Sequence, residues 1–158
     1  MHTSYASCAD YSESVWALAE SYRQASEYLF DREDAGVITP ALYMQCHALE
    51  LFLKSFLVAK GVSQAELSKS SQYRHDIYSC LKECARLGLC SKLEFLREHL
   101  RQVRRISRIY KEKNLEYFYP KEKIFGSISL FREIVKNVSR ATVDLMLSET
   151  LREFTGAP

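Results

Sequence analysis

The stretch from Pro40 to Lys60, PALYMQCHALELFLKSFLVAK, decides the fold. Leu42, Cys46, Leu49, Leu53 and Phe56 recur at helical steps and form one apolar seam, while Met44, Leu51 and Val58 lie opposite. A helix that is apolar on two sides belongs inside a bundle or against a partner. Along it runs one polar stripe, Tyr43, His47, Glu50 and Lys54. Charged groups in such a place need compensating partners, because a charge taken out of water unpaired is costly. Thr39 and Pro40 read as the N-cap and first residue of this helix, and Gly61 as its C-terminal stop.

Outward from this helix the pattern stays helical. A first helix is predicted from Ser12 to Phe30 with Val15, Leu18, Ala19, Tyr22, Ala25 and Leu29 inward, followed by a polar connection from Asp31 to Ile38. Val62 to Arg74 reads as an exposed loop with a helical turn at Gln64 to Leu67. His75-Asp76 opens a third helix, with Asp76 as cap, Ile77, Leu81, Cys84 and Leu87 inward and Gly88 as the stop. Ser91-Lys92-Leu93-Glu94 has the form of a capping box and starts a fourth helix reaching Tyr110, with Leu93, Leu96, Leu100, Val103 and Tyr110 on its seam. Leu115 to Pro120 reads as an extended aromatic segment. The last helix is predicted from Ser127 to Phe154, with Phe131, Ile134, Val138, Ala141, Leu145 and either Met146 or Leu147 inward. Each apolar stripe must be covered by another, so the expectation is an all-α, five-helix up-and-down bundle in a single domain over residues 1–158, its core about 10–154.

Composition agrees with a soluble helical domain: 47% of the 158 residues are hydrophobic and 27% charged, with only 5 Gly and 3 Pro. No apolar run has the length of a membrane span and the N-terminus lacks the pattern of a signal peptide, so a cytoplasmic protein without a membrane partner is expected. Cys8, Cys46, Cys80, Cys84 and Cys90 have no CxxC spacing and read as reduced thiols filling core space. A zinc site built from Cys80, Cys84 and Cys90 would lack an evident fourth ligand. Net charge is +2, but between Lys92 and Lys113 eight Lys or Arg stand against three Glu, a balance of +5 that leaves −3 for the remainder. One helix therefore concentrates the positive field.

The segment His47-Ala-Leu-Glu-Leu-Phe-Leu-Lys54-Ser-Phe-Leu57 ending at Gly61, then a polar loop, then His75-Asp76-Ile77 with Leu81, Ala85 and Gly88, resembles HEPN domains. Tyr110 and Tyr117-Phe118-Tyr119-Pro120 are similar to the tyrosine- and proline-bearing segment before the last helix of that family, and the likeness runs from about Asp10 to Phe154. The resemblance implies a helical bundle that commonly dimerises. It also implies a role in binding or cutting RNA in toxin–antitoxin and defence systems, or in binding nucleotides or acting as a scaffold. Nuclease members carry an Arg followed by a His with four to six residues between them. Among His2, His47, His75 and His99 none has Arg at that distance; before His99 those positions hold Lys92, Leu93 and Glu94. Without that His the natural proton carrier at a 2′-hydroxyl is missing, so a non-catalytic binding domain is expected and no catalytic residue is assigned.

Two groups of residues are candidates for a site. Tyr43, His47, Glu50 and Lys54, joined by His75 and Asp76, would bind a phosphate, a nucleotide or a partner; alternatively Glu50 and Lys54 form a local pair worth roughly 0.2–0.5 kcal/mol while the other tips reach solvent. Arg97, Arg101, Arg104, Arg105 and Arg108 share a helix face and, with Tyr117 and Tyr119, would hold RNA phosphates and stack on bases. The plainer reading of that face is solvation with local pairs to Glu94 and Glu98, or pairs across a dimer. The enzymatic alternative is a divergent RNase, or a metal-dependent phosphohydrolase of the HD class using His47, His75, Asp76 and Asp144. No glycine-rich phosphate loop, di-iron pair or nucleophile elbow occurs. The expected state is a homodimer with RNA, a nucleotide or a protein as partner and no resident metal or cofactor.

Overall fold

The central helix of the molecule is the one with apolar residues on two sides. In the computed structural model, which describes residues 8–32, 34–69, 73–89, 96–116 and 126–155, six α-helices follow in order: α1 (Cys8–Phe30), α2 (Ile38–Ala59), α3 (Gln64–Lys69), α4 (Ile77–Arg86), α5 (Leu96–Lys111) and α6 (Ile128–Thr155). No strand occurs among these residues, so the fold is an all-α bundle. α2 packs against α1, α4, α5 and α6. Its predicted seam of Leu42, Cys46, Leu49, Leu53 and Phe56 is buried, together with Ala48, Phe52, Leu57 and Val58. Of the two places its sequence allowed, inside a bundle or against a partner, α2 takes the first, because other helices of the same chain cover it.

The expected five helices are six. The additional helix, α3, extends the helical turn expected at Gln64 to Leu67 and is held by a capping box: Ser63 Oγ accepts from Glu66 N at 3.2 Å while Glu66 Oε2 accepts from Ser63 N at 3.0 Å. Leu67 is buried and anchors this short helix to the core. α2 starts at Ile38 rather than at a Thr39 cap. A 3₁₀ turn at Ala35–Val37, capped by Asp34, leads directly into it, and no side chain caps Val37. Pro40 then sits in the first turn, where its missing N–H interrupts no helical bond.

Asp76 caps α4 as expected, its Oδ1 accepting from Ser79 N at 3.0 Å. α6 likewise starts from Ser127, whose Oγ accepts from Leu130 N at 3.2 Å. The proposed capping box Ser91 to Glu94 lies outside the described residues. α2 ends in a Schellman motif: Gly61, at φ 87, donates to Val58 O at 2.9 Å and Val62 N donates to Leu57 O at 3.0 Å.

α5 closes in the same way, but with Lys113 in the left-handed position at φ 57; Lys113 N donates to Tyr110 O at 3.0 Å and Asn114 N to Ile109 O at 3.1 Å. A residue with a Cβ pays about 1 kcal/mol for that conformation and glycine does not. Lys113→Gly is therefore expected to raise unfolding free energy by roughly 0.5–1 kcal/mol in urea titration. A loss of stability of that size would contradict it.

The remaining faces follow the predicted periodicity with three exceptions. Leu18 is half exposed, Ala25 is exposed, and Leu100 sits at the rim of α5. α1 instead turns Ser12, Ala19 and Ser26 inward, so its buried face is small and lets α2 approach closely. Between Met146 and Leu147, Met146 is the buried one. Cys46, Cys80 and Cys84 are buried thiols, as their positions implied. Burial pushes the Cys80 thiol up to about 12 and Cys46 upward as well, so both stay protonated as small apolar groups. Cys8 and Cys90 fall outside the described side chains. No helix among the described residues is long and apolar enough to cross a membrane.

Candidate functional site

Glu50 is 2% exposed, yet it carries a carboxylate in the middle of the bundle. Four residues, from two helices and one turn, meet it. One turn further along α2, Lys54 Nζ donates to Oε1 at 2.6 Å. His75 N donates to the same oxygen at 3.2 Å, and His75 Nδ1 lies 3.3 Å from Oε2. Tyr110 of α5 donates its hydroxyl to Oε2 at 2.8 Å. His47, one turn back on α2, has Nδ1 3.7 Å from Oε2, beyond hydrogen-bond distance. One buried carboxylate thus ties α2, α5 and the turn before α4 together.

The hydrogen positions follow from counting donors. A phenol has one hydrogen and here it goes to Glu50, so the 2.9 Å contact between His47 Nδ1 and Tyr110 Oη is made by a hydrogen on the imidazole. An ionised carboxylate only accepts, so His75 Nδ1 carries a hydrogen too. Both rings are therefore oriented through Nδ1, which leaves each Nε2 outside the network. Aromatic rings fix His47 further: Tyr22 meets it edge-on at 4.6 Å and Tyr43 stacks at 6.2 Å between centroids.

Burial alone would raise the Glu50 pKa. The His47 imidazole, the Lys54 ammonium and the Tyr110 hydroxyl outweigh that and hold the carboxyl well below the usual range. Tyr110 shifts upward, through burial first and then through the neighbouring Glu50 charge. His75 adopts a left-handed backbone at φ 55, uncommon for a residue with a Cβ. Its cause is visible: Glu50 grips both the backbone amide and the ring of the same residue. Such strain persists only where surrounding contacts over-determine it.

Five of the six residues expected to cluster do so, namely Tyr43, His47, Glu50, Lys54 and His75. Asp76 stands beside them but spends its carboxylate elsewhere. It caps α4, accepts from Ser107 Oγ at 3.3 Å and pairs with Lys111 at 2.7 Å. Burial opposes its ionisation, but the Lys111 ammonium and the Ser79 amide win and lower its pKa. Asp144 is exposed on α6, and among the described residues no three His, Cys, Asp or Glu side chains are grouped as a metal ion would need. The local-pair reading of Glu50 and Lys54 understates the site, because a surface pair has two partners and this one has a buried core. Tyr110 completes it. The available signal was a hydroxyl-bearing aromatic on an otherwise apolar seam, which must find a partner when buried.

The arginine face lies on the opposite side of α5 from Tyr110. Arg101, Arg104, Arg105 and Arg108 are all exposed, within an arc of about 100° on an ideal helix, while Val103, Ile106 and Tyr110 point into the core. Among the described residues none of these four arginines forms an ion pair. The side chains of Arg97, Glu94 and Glu98, and the residues Tyr117 and Tyr119, lie outside the described set. No protein-family model, no curated protein and no solved structure matches this chain.

Proposed function

We propose that this chain is a HEPN-like, non-catalytic binding domain that holds RNA by its phosphates on the exposed face of α5. The observation that carries the reading is the set of four exposed arginines, Arg101, Arg104, Arg105 and Arg108, with no carboxylate paired to them among the described residues. An isolated pair of surface charges has little consequence, whereas several like charges on one rigid helix repel one another until a polyanion neutralises them. The Glu50 centre supports a binding role over a catalytic one, because the carboxylate itself is engaged on both oxygens by Lys54, His75 and Tyr110. A toxin–antitoxin or defence setting is the context the resemblance implies, and a neighbouring nucleotidyltransferase or defence gene would support it.

The test is the salt dependence of binding to a fluorescent single-stranded RNA, read by anisotropy. Four phosphate contacts on a single strand give a slope of roughly −3 in log K against log salt, so affinity falls about fifty-fold between about 50 and 200 mM. Flat affinity over that range rejects the proposal.

A homodimer is part of the same proposal, formed with a second copy through α1. Ser14, Ala17, Leu18, Ser21, Ala25 and Tyr28 make an exposed side of that helix without a charge, with Leu18 50% and Tyr28 62% exposed. Light scattering at high micromolar concentration is expected to report a dimer, and Leu18→Lys a monomer. A monomer for both rejects this part.

A further inference from the structure

The positive surface does not stop at α5. Tyr78, in the first turn of α4, is half-buried, and its backbone N donates to Ser107 Oγ of α5 at 2.9 Å, so the two helices are fastened at this point. The same Ser107 hydroxyl donates to Asp76, which completes the fastening. Two cations from different helices meet the Tyr78 ring: the Arg104 guanidinium carbon lies 5.7 Å and the Lys82 ammonium 5.3 Å from its centroid, both within cation–π range. One aromatic ring therefore holds a cation of the α5 face beside an exposed cation of α4.

Among the described side chains, the carboxylates nearest this surface are otherwise engaged. Glu83 pairs with Arg86 at 2.6 Å and Asp76 with Lys111 at 2.7 Å. Lys82, like the four arginines, has no carboxylate partner among the described residues. The amide side chain of α5, Gln102, donates to Ser127 O at 2.7 Å. What the surface offers a ligand is thus chiefly cationic charge.

We infer that Lys82 is a phosphate-contacting residue of the same RNA surface, positioned by Tyr78 next to Arg104, and that the surface reads the phosphodiester backbone without regard to sequence. This rests on the proposed RNA-binding role of α5. Phosphate contacts set affinity and register but carry no sequence information, so homopolymers should bind alike. A backbone crossing from α5 to α4 gains one further contact at Lys82.

The experiment measures binding of single-stranded oligo-A, oligo-U and an oligo-glutamate of equal charge to the natural protein, Lys82→Gln, Arg104→Gln and, as a control, Arg86→Gln. Oligo-A and oligo-U are expected to bind within a few-fold of each other and oligo-glutamate much more weakly. Lys82→Gln should weaken both RNAs about five-fold at about 0.1 M salt and reduce the salt slope by about 0.7, one phosphate contact. Arg86→Gln should leave both unchanged. If Arg104→Gln weakens RNA binding and Lys82→Gln does not, the extension to α4 is wrong while the α5 reading stands. If neither variant matters, the RNA reading itself fails. Strong preference between the two homopolymers overturns backbone readout, and oligo-glutamate bound as tightly as RNA shows that the surface serves an acidic protein instead. Melting curves for each variant, expected to match the natural protein, keep folding defects apart from binding effects.

Discussion

Glu50→Ala is expected to lower unfolding free energy by about 3–5 kcal/mol. The size comes from what is left behind. Lys54 keeps an ammonium that is mostly shielded from water and His75 keeps a backbone amide and a ring hydrogen, all without Glu50 as acceptor, while Tyr110 keeps only its contact with His47 Nδ1. His75 also loses the grip that holds its left-handed backbone, so the turn into α4 should loosen. Urea titration and amide exchange of the His75 to Ser79 segment would show this together. A loss under 1 kcal/mol would mean that water re-enters and the centre is not closed.

The same carboxylate contributes to the acid limit of the fold, beside Asp76 and Glu20, whose pKa values are also lowered. Its pKa in the folded chain is depressed relative to an unfolded value of about 4.3, so in that range the unfolded chain binds more protons and stability rises with pH. The contribution is complete above about pH 4.5 and is lost as pH falls below it towards the folded pKa. Glu50→Gln keeps the shape and removes the titration. Its stability should be lower at neutral pH and flatter between about pH 5 and 3. An acid limb of unchanged steepness would place the titrating group elsewhere.

The second large effect is on binding. Replacing Arg101, Arg104, Arg105 and Arg108 together by Gln is expected to weaken single-stranded RNA binding several-hundred-fold at about 0.1 M salt, since each released contact contributes about five-fold on a single strand. Most of the salt dependence should vanish with it. All four side chains are exposed, so the variant should melt near the natural protein or slightly above it once their mutual repulsion is removed. Arg→Lys at the same four positions keeps the charge and should keep most of the affinity, which separates charge from the loss of any particular guanidinium contact. Retained binding in the Gln variant would rule out α5 as the RNA surface.

Some of this was legible in the chain and some was not, for reasons that particular residues illustrate. Leu42, Cys46, Leu49, Leu53 and Phe56 announced a buried seam because helical geometry alone brings them together. Asp76, Gly61 and Gly88 marked helix ends because capping and left-handed backbone are local properties. Leu18 misled, since periodicity shows which residues share a face and not whether a neighbour arrives to cover it. The Ser63 to Glu66 box was local too, and the helical turn expected at Gln64 to Leu67 becomes a short helix because Leu67 docks in the core.

The candidate site divides along the same line. His47, Glu50 and Lys54 on one stripe and the arginines of α5 on one arc followed from sequence alone, because side chains three and four residues apart on a helix are neighbours wherever the helix goes. That Glu50 is enclosed, that Tyr110 and His75 reach it from 60 and 25 residues away, and that Asp76 turns to Lys111 instead were decided only by tertiary structure. So was the meeting of Lys82 and Arg104 over Tyr78. Burial and long-range contact depend on how helices cross, and crossing is set by the packing of all their faces at once, which no local spacing encodes.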